Sequence, residues 1–393
     1  MINSISYVGT SKVVIILSQF FFIFAFTKTL PIEDLGTYAL ALSIVTPVVW
    51  SMNFDIPIKI ISNTLETKNL LTLLFPNIFI LILLSLAFLL LFVFSNNLVN
   101  FCLFLLLTYI LKFGEIITEI YNAKLRIEQK FLHFSIFSSI RFFIVYAFGA
   151  LAIIYGFQAI SAVAIISLIS MLFSLLSLTN LVKKGFYFKI NIKDIFNFAQ
   201  KNKSLSIASG IKFFSSHLMR YFIAFQFGLS TLGYLVPIFY GLNVLTSISS
   251  IFENVYSPKI SKKISKRIFS FKLLKNELMI LFLTSISIII SSLVLSDYYY
   301  NFFFLDNINN YHYLLIAFSF GWFFYTLRSI LKVISFKLKM QYLQVKIQFI
   351  FLFLLIIFMY TLSLYIGILG VAIAFVMSNI AICYYYIYQI MKY

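Results

Sequence analysis

The sequence predicts an all-α, polytopic membrane protein with about twelve transmembrane helices, each about 20 residues long. Of its 393 residues, 62% are hydrophobic and only 11% are charged. The mean hydropathy is +1.01, and a soluble protein of this composition could not cover its surface with polar groups. Apolar runs of about 20 residues follow one another along the whole chain, so we expect no extramembrane domain.

Charged residues or Gly, Pro and Asn break the apolar runs, and each run between two breaks predicts one span. The first run carries Lys12 and has no clear small-residue cleavage site after it, so we expect an uncleaved span instead of a signal peptide. The fourth and tenth runs are polar towards one end. The predicted spans lie near residues 9–28, 37–58, 71–94, 99–121, 134–155, 159–182, 204–228, 232–255, 277–298, 311–335, 342–365 and 368–390.

Lysine and arginine are concentrated in alternate connections between the predicted spans, and the other connections hold little besides Lys28. Cytoplasmic loops of membrane proteins carry an excess of these residues, so both termini are predicted to be cytoplasmic. This topology accounts for the net charge of +18 without a nucleic-acid partner. The basic connections lie near residues 59–68, 124–130, 183–203, 259–275 and 337–339.

A weak internal repeat relates the two halves of the chain. The turn that ends at Gly36 after the first span resembles the turn that ends at Gly233 after the seventh, and the basic loops 124–127 and 337–340 also match. Six spans in each half give a parallel repeat. We therefore predict a six-helix lobe over 1–182, a cytoplasmic linker over 183–203, a second six-helix lobe over 204–393, and a central cavity between the lobes.

The seventh span is hydrophobic enough to cross a bilayer but carries a polar stripe. Ser209, Lys212, Ser216 and Arg220 follow at spacings of three, four and four, which places them on one face of a helix. A charged side chain at mid-bilayer costs about 2.5–3.5 kcal/mol on insertion scales unless it faces protein or water. The span has no acidic residue, so the stripe predicts a wet cavity that attracts an anion such as phosphate, pyrophosphate or carboxylate.

When the two halves are aligned so that Gly36 matches Gly233, Lys12 and Gln19 of the first span match Ser209 and Ser216. The first span is therefore expected to line the same cavity. The alternative for Lys12 is that its ammonium group reaches the headgroups. We expect the anion to be held by the intramembrane cations Lys212 and Arg220, assisted by Lys12, Arg141 and Arg328.

Four acidic residues also fall within the predicted spans. Lys112, Glu115 and Glu119 share one helical face, which favours structural neutralisation; the alternative is a cation or proton site that couples transport to an H⁺ or Na⁺ gradient. Asp55 and Glu253 lie near the inner ends of spans two and eight, where they could cap helices or pair with lysines.

Enzymatic signatures are absent from the sequence. There is no Gly-rich phosphate loop, no nucleophile elbow and no HExxH motif, so we expect neither an enzyme nor a resident cofactor. The two cysteines are isolated and the three histidines are scattered, so no metal site is predicted. A membrane glycan polymerase would need a long outer loop with charged residues, which the sequence does not provide.

Two segments carry a resemblance to a known family: the turn over 30–38, Leu-Pro-Ile-Glu-Asp-Leu-Gly-Thr-Tyr, and the inner loop over 121–126, Tyr-Asn-Ala-Lys-Leu-Arg. With the length and the two predicted lobes, they make the chain similar to the polysaccharide flippases (Wzx type, O-antigen or capsule repeat units) of the multidrug/oligosaccharidyl-lipid/polysaccharide exporter superfamily. The lipid II flippases of this superfamily usually have fourteen spans, so we expect the chain to fall outside that branch.

The resemblance implies a MATE-like fold in which two lobes form a V around a cationic cavity. It also implies alternating access, by which an oligosaccharide repeat unit on undecaprenyl pyrophosphate moves from the inner to the outer leaflet of the bacterial cytoplasmic (inner) membrane. The expected partners are membrane lipid and the polysaccharide polymerase machinery, and we expect a monomer. The alternatives are a cation-coupled multidrug or small-molecule antiporter, which would depend on Glu115, Glu119 and Asp55, and a membrane glycan polymerase.

Overall fold

The computed structural model describes residues 2–54, 56–61, 65, 67–94, 96–263, 275–304, 311–337 and 342–392. Nearly all of these residues are helical. The helices are α1 (Ile2–Thr29), α2 (Ile32–Ser51), α3 (Ile56–Ile61), α4 (Leu70–Phe94), α5 (Asn96–Ile127), α6 (Phe131–Ile154), α7 (Ala159–Lys183), α8 (Ile192–Phe227), α9 (Leu229–Lys263), α10 (Lys275–Phe303), α11 (His312–Lys337), α12 (Tyr342–Ile366) and α13 (Ile368–Lys392).

Every predicted span corresponds to one long helix. Within the described ranges, eleven helices are long and apolar enough to cross a membrane, which makes the chain a multi-pass membrane protein. The long helix outside this group is α8, because Lys212, His217 and Arg220 interrupt its apolar sequence. The polar stripe therefore sets α8 apart from the other long helices.

The second predicted span is wrong at its C-terminal end, since α2 ends at Ser51 and a separate short helix, α3, follows. Phe54 between them has a left-handed backbone with φ of 48°. Pro57 explains the break, because proline has no N–H to donate and its ring clashes with the carbonyl group one turn earlier. Asp55 lies outside the described residues.

The predicted linker 183–203 is largely helical, because α8 begins at Ile192. The Asn191 side chain caps this helix by accepting hydrogen bonds from the backbone N–H groups of Lys193 (3.1 Å) and Asp194 (3.4 Å). One helix therefore runs from the basic connection through the polar stripe to Phe227.

The chain divides into two compact units, residues 1–234 and 235–393. In the first unit, α8 packs along α2: Phe213 stacks on Trp50 at 5.3 Å between ring centroids, and the Tyr221 hydroxyl donates to the carbonyl oxygen of Ser43. The helix that we predicted as the start of the second lobe thus belongs to the first unit by its contacts. One hydrophobic cluster of this unit lies between α2, α3, α4, α5, the end of α7 and the first turns of α8.

Three helix pairs pack in the same way in both units, and they support the predicted repeat. The pairs α4–α5, α5–α7 and α6–α7 correspond to α10–α11, α11–α13 and α12–α13. The Ser170 hydroxyl donates to the Leu111 carbonyl oxygen at 3.2 Å, and the Cys383 thiol donates to the Phe324 carbonyl oxygen at 3.2 Å. Cys383 is 213 residues after Ser170, and Phe324 is 213 residues after Leu111. The same offset relates Lys337 to Lys124.

A reciprocal glycine contact joins α2 to the first turns of α9. A Cβ atom at Gly36 would overlap the carbonyl oxygen of Leu229, and a Cβ atom at Gly233 would overlap the carbonyl oxygen of Ile32. The same shift of 197 residues relates Gly36 to Gly233 and Ile32 to Leu229. Two equivalent segments therefore make the same backbone contact with each other, and only glycine fits at either position.

Candidate functional site

The polar stripe of α8 is exposed in its middle and less exposed at both ends. Lys212 and Ser216 are exposed, Arg220 is half-buried and Ser209 is buried. Phe213 and Tyr221 hold the neighbouring face of the helix against α2. Because these aromatic contacts fix the rotation of α8, the two exposed stripe residues point away from the helix packing of the first unit.

Lys212 keeps an aromatic surface beside its charge, since its ammonium nitrogen lies 5.5 Å from the centroid of the Phe213 ring. This ring is the one that stacks on Trp50. A cation over an aromatic face is stabilised electrostatically but keeps its N–H donors available on the other side. Lys212 can therefore offer hydrogen bonds to an anion.

Arg220 makes its short contact with a histidine one turn earlier in α8. Its Nη1 atom lies 3.3 Å from Nδ1 of His217, and Arg220 has further interactions besides this one. Because a guanidinium group can only donate, this nitrogen of His217 accepts and the imidazole is neutral in this arrangement. His217 and Arg220 thus form a polar pair one turn apart on α8.

Lys112 and Glu115 form an ion pair one turn apart on α5. The Lys112 ammonium donates to Oε2 of Glu115 at 2.7 Å, and the two side chains are only 15% and 10% exposed. Oε1 of Glu115 is buried and has no hydrogen-bond partner among the described residues. Lys112 therefore neutralises the charge of Glu115, but one of the two carboxylate oxygens has no hydrogen-bond partner among the described residues.

Arg141 lies inside the helix packing of the first unit and is only 2% exposed. Its Nη2 atom donates to the Ser170 hydroxyl at 2.9 Å, and its guanidinium carbon lies 4.8 Å from the Phe142 ring centroid. Nε and Nη1 are buried and have no hydrogen-bond partner within the described ranges. We predicted Arg141 as a cation of the cavity; its burial between α6 and α7 separates it from the exposed part of the α8 stripe.

Arg328 belongs to the second unit and is held by neutral groups. It donates to Oδ1 of Asn379 at 3.4 Å and to Oε1 of Gln348 at 3.0 Å. Its guanidinium group stacks on Phe351, with 4.1 Å between the guanidinium carbon and the ring centroid. Two amides and one aromatic ring thus satisfy a cation that the sequence placed with Lys212 and Arg220.

The remaining predicted site residues have simpler surroundings. Lys12 on α1 is half-buried and is not isolated. Glu119 accepts from Arg126 at 2.9 Å and from the Asn122 amide at 3.3 Å, so its charge is neutralised within α5. The side chain of Glu253 lies outside the described residues, and no group of three potential metal ligands occurs in the part of the chain that the structure describes.

The sequence did not single out the ion-pair cluster at the turn after α5. Glu128 contacts three lysines: Lys124 at 3.8 Å, Lys130 at 3.3 Å and Lys184 at the end of α7. Partial burial raises the pKa of the Glu128 carboxyl, but hydrogen bonds from Lys184 and Lys130 outweigh this effect, and the net pKa is below its ordinary value. The cluster ties this turn to α7. The only sign of this cluster in the sequence was the local excess of lysine, and we had already attributed that excess to a cytoplasmic loop.

Comparisons with known proteins show the fold. No protein-family model matches the chain, and no curated protein matches it in sequence. The lipid II flippase MurJ in an inward closed conformation has a TM-score of 0.75 and 18% identity, over 100% of this chain and 88% of that one. A multidrug resistance MATE family transporter of the MOP superfamily, in an inward-facing conformation, has a TM-score of 0.62 and 14% identity, over 96% of this chain and 94% of that one.

A third similar structure is a MOP superfamily transporter from Pyrococcus furiosus, which was described as having a binding pocket of reverse polarity. It has a TM-score of 0.54 and 14% identity, over 97% of this chain and 96% of that one. At these identities the likeness concerns the fold alone. The predicted fold class is confirmed: the chain is a polytopic, all-α membrane protein with a MATE-like fold.

Proposed function

We propose that this protein is a flippase of the MOP superfamily that moves a polyprenyl-pyrophosphate-linked oligosaccharide repeat unit from the inner to the outer leaflet. The observation that carries the proposal is the α8 stripe, where Lys212 and Arg220 lie on a helix segment that has no acidic residue. A cationic surface in a membrane-spanning fold favours an anionic substrate over a cationic drug. The similarity in fold to a lipid II flippase also supports a lipid-linked substrate.

The chemistry of the stripe suits a pyrophosphate headgroup. Arg220 can bind two phosphate oxygens through parallel N–H donors, and Lys212 can neutralise a third as a point charge. Lys12 on α1 would assist them. The sugars would occupy water beside the stripe while the polyprenyl tail remains in lipid, and the two predicted lobes would expose the site to each side in turn. In this proposal Arg141 and Arg328 stabilise their own units, as their burial and partners favour.

The proposal includes the cellular setting that the sequence suggested. The protein would act as a monomer in the bacterial cytoplasmic (inner) membrane with both termini in the cytoplasm, and it would supply repeat units to a polysaccharide polymerase. An H⁺ or Na⁺ gradient would drive the cycle, and no resident cofactor is needed for it.

A cation-coupled antiporter is the second candidate, and one observation favours it. Glu115 is a buried carboxylate with an unsatisfied oxygen, which is a suitable acceptor for a proton or a Na⁺ ion. Under this function, Glu115→Gln would abolish transport and Arg220→Ala would leave it unchanged.

The test is export of surface glycan in a strain that depends on this protein. Lys212→Ala and Arg220→Ala should each reduce export about tenfold or more, because each removes a charge-assisted bond worth about 1.5–3 kcal/mol. Lys203→Ala is the matched control, since Lys203 is an exposed lysine on the same helix outside the stripe. Normal surface glycan in both stripe variants, with protein amounts unchanged by immunoblot, would contradict the proposal.

A further inference from the structure

We propose that the ends of α5, α6 and α7 that meet at Glu128 bind the phosphate of an anionic membrane phospholipid. The binding groups are the ammonium groups of Lys124, Lys130 and Lys184. This site uses no residue of the α8 stripe. It also does not rest on the proposed function, because its ligand is a lipid of the surrounding bilayer and not the transported molecule.

The first step concerns the charge at this corner of the first unit. The Lys124 ammonium lies 3.8 Å from Oε1 of Glu128, the Lys130 ammonium lies 3.3 Å from Oε2, and Lys184 also binds Oε2. Three positive charges thus surround one negative charge, which leaves a net charge of +2 on these four side chains. A single lysine would have been enough to neutralise Glu128, so the cluster has a surplus of cations.

The second step concerns the N–H donors that Glu128 leaves unused. An ammonium group has three donors, whereas the carboxylate offers two oxygens to all three lysines. Oε2 is shared between Lys130 and Lys184, and the 3.8 Å from Lys124 to Oε1 is longer than a hydrogen bond. Lys130 is exposed, and Lys124 and Lys184 are partly exposed. The three ammonium groups can therefore bind further oxygen atoms, and a phosphate offers several of them in one compact group.

The third step places the lysines relative to the bilayer. Lys130 directly precedes α6, and Lys184 directly follows α7. At 1.5 Å per residue, the 24 residues of α6 extend about 36 Å, whereas the hydrocarbon core of a bilayer is about 30 Å thick. Both lysines therefore lie just beyond the hydrocarbon core, at the depth of the lipid phosphates.

The fourth step concerns the surface that the acyl chains would contact. The two helices α6 and α7 pack against each other, and each has exposed apolar side chains at spacings of three or four residues, which share one helix face. In a membrane-spanning helix such a face contacts lipid. Acyl chains can thus lie along α6 and α7 while the headgroup reaches the lysines. The exposed side chains are Leu132, Ile136 and Ile140 on α6 and Leu168, Leu172 and Leu175 on α7.

The net charge of the cluster determines which kind of lipid fits. The predicted topology places this corner at the cytoplasmic leaflet, which is rich in anionic lipids that attract lysines near the surface. Phosphatidylglycerol carries a phosphodiester and no cation, so its full negative charge is available to the cluster. In phosphatidylcholine the quaternary ammonium group cancels the charge of the phosphate, so we expect weaker binding.

The experiment is native mass spectrometry of the purified full-length protein, titrated in detergent with phosphatidylglycerol. Lys130→Gln should weaken binding about fivefold, because one cation beside the phosphate is lost. Lys124→Gln/Lys130→Gln should weaken it about thirtyfold. Lys184 still neutralises Glu128 in both variants, so both should melt like the wild type when no lipid is added. Wild-type affinity in either folded variant overturns the inference.

A matched double variant separates this site from a general effect of net charge. Lys193→Gln/Lys203→Gln removes two exposed lysines of α8 and changes the net charge by the same amount. It should leave the affinity for phosphatidylglycerol unchanged. An equal loss in this control would show that the lipid responds to the charge of the whole protein, and the inference would be wrong.

Two other ligands separate the headgroup charge from the acyl chains. Phosphatidylcholine with the same acyl chains should bind about fivefold more weakly than phosphatidylglycerol, and equal binding would reduce the site to an apolar surface. Inorganic phosphate at the same concentration should not displace phosphatidylglycerol, because it lacks the acyl chains. Displacement would make this a site for free phosphate and would overturn the assignment to a lipid.

Discussion

The two units pack equivalent helices in the same way but place different charges at equivalent positions. The shift of 213 residues that matches the Ser170–Leu111 hydrogen bond to the Cys383–Phe324 hydrogen bond also places Glu115 on Arg328. In the first unit this position carries an anion bound to Lys112; in the second it carries a cation held by two amides. The repeat therefore preserves packing, while the ionic chemistry is asymmetric.

This asymmetry indicates what each unit contributes. The first unit contains an exposed cationic stripe on α8, and on α5 it contains an ion pair in which one oxygen of Glu115 has no hydrogen-bond partner among the described residues. Around Arg328, two amide oxygens and the Phe351 ring already surround the guanidinium group, so its arrangement is stable by itself. We expect substitutions in the first unit to affect binding and stability together, and those at Arg328 to affect stability.

The largest expected difference between the units is in stability. It should appear when the residue three positions before Glu115 or before Arg328 is replaced by leucine. Lys112→Leu strands the buried Glu115 carboxylate and should lower the free energy of unfolding by about 3–5 kcal/mol. Tyr325→Leu, at the equivalent position, strands no charge and should cost clearly less. Thermal unfolding in detergent compares the two variants, and equal losses would remove the asymmetry.

A smaller effect tests the symmetric part of the comparison. Gly36→Ala and Gly233→Ala each place a methyl group onto a backbone carbonyl of the other segment and should each cost about 1–3 kcal/mol. Gly9→Ala is the control, since no atom from elsewhere in the described part of the chain lies within 4 Å of its added Cβ, and it should be neutral or slightly stabilising. If only one of the two glycine variants is destabilised, their contacts are not equivalent.

The smallest effect concerns Glu128, whose pKa is lowered by Lys184 and Lys130. A carboxyl with a lowered folded pKa stabilises the protein above its unfolded pKa of about 4.3, and this contribution is lost as pH falls through the folded value. The pair is partly exposed and screened, so we expect at most about 1 kcal/mol. Melting temperatures between pH 3.5 and 7 should therefore converge for wild type and Glu128→Gln at the acidic end; a constant gap would contradict this assignment.

Much of the fold was predictable because a bilayer restricts the secondary structure that a chain can adopt. Backbone groups in lipid must bond within helices, so run length and breaks predicted each long helix. The break at Ser51 was missed although Pro57 was visible, because apolar composition continues across it. The helical start of α8 was missed because residues 193–203 are mostly polar, and helices outside the hydrocarbon core need not be apolar.

The candidate site was predictable only where its residues share one helix. The α8 stripe and the Lys112–Glu115 pair follow from spacings of three and four residues. The partners of Arg141 and Arg328 lie on other helices: Ser170 is 29 positions from Arg141, and Asn379 is 51 positions from Arg328. No local spacing encodes such contacts.

By itself, the sequence determined that this is a multi-pass helical membrane protein with a repeated architecture and a cationic helix face, because hydropathy and helical periodicity are properties of neighbouring residues. Only the tertiary structure decided which cations remain exposed, as Lys212 does, and which are enclosed, as Arg141 is. The physical reason is that burial and pairing of a charge depend on the helices packed around it, and those helices come from distant parts of the chain.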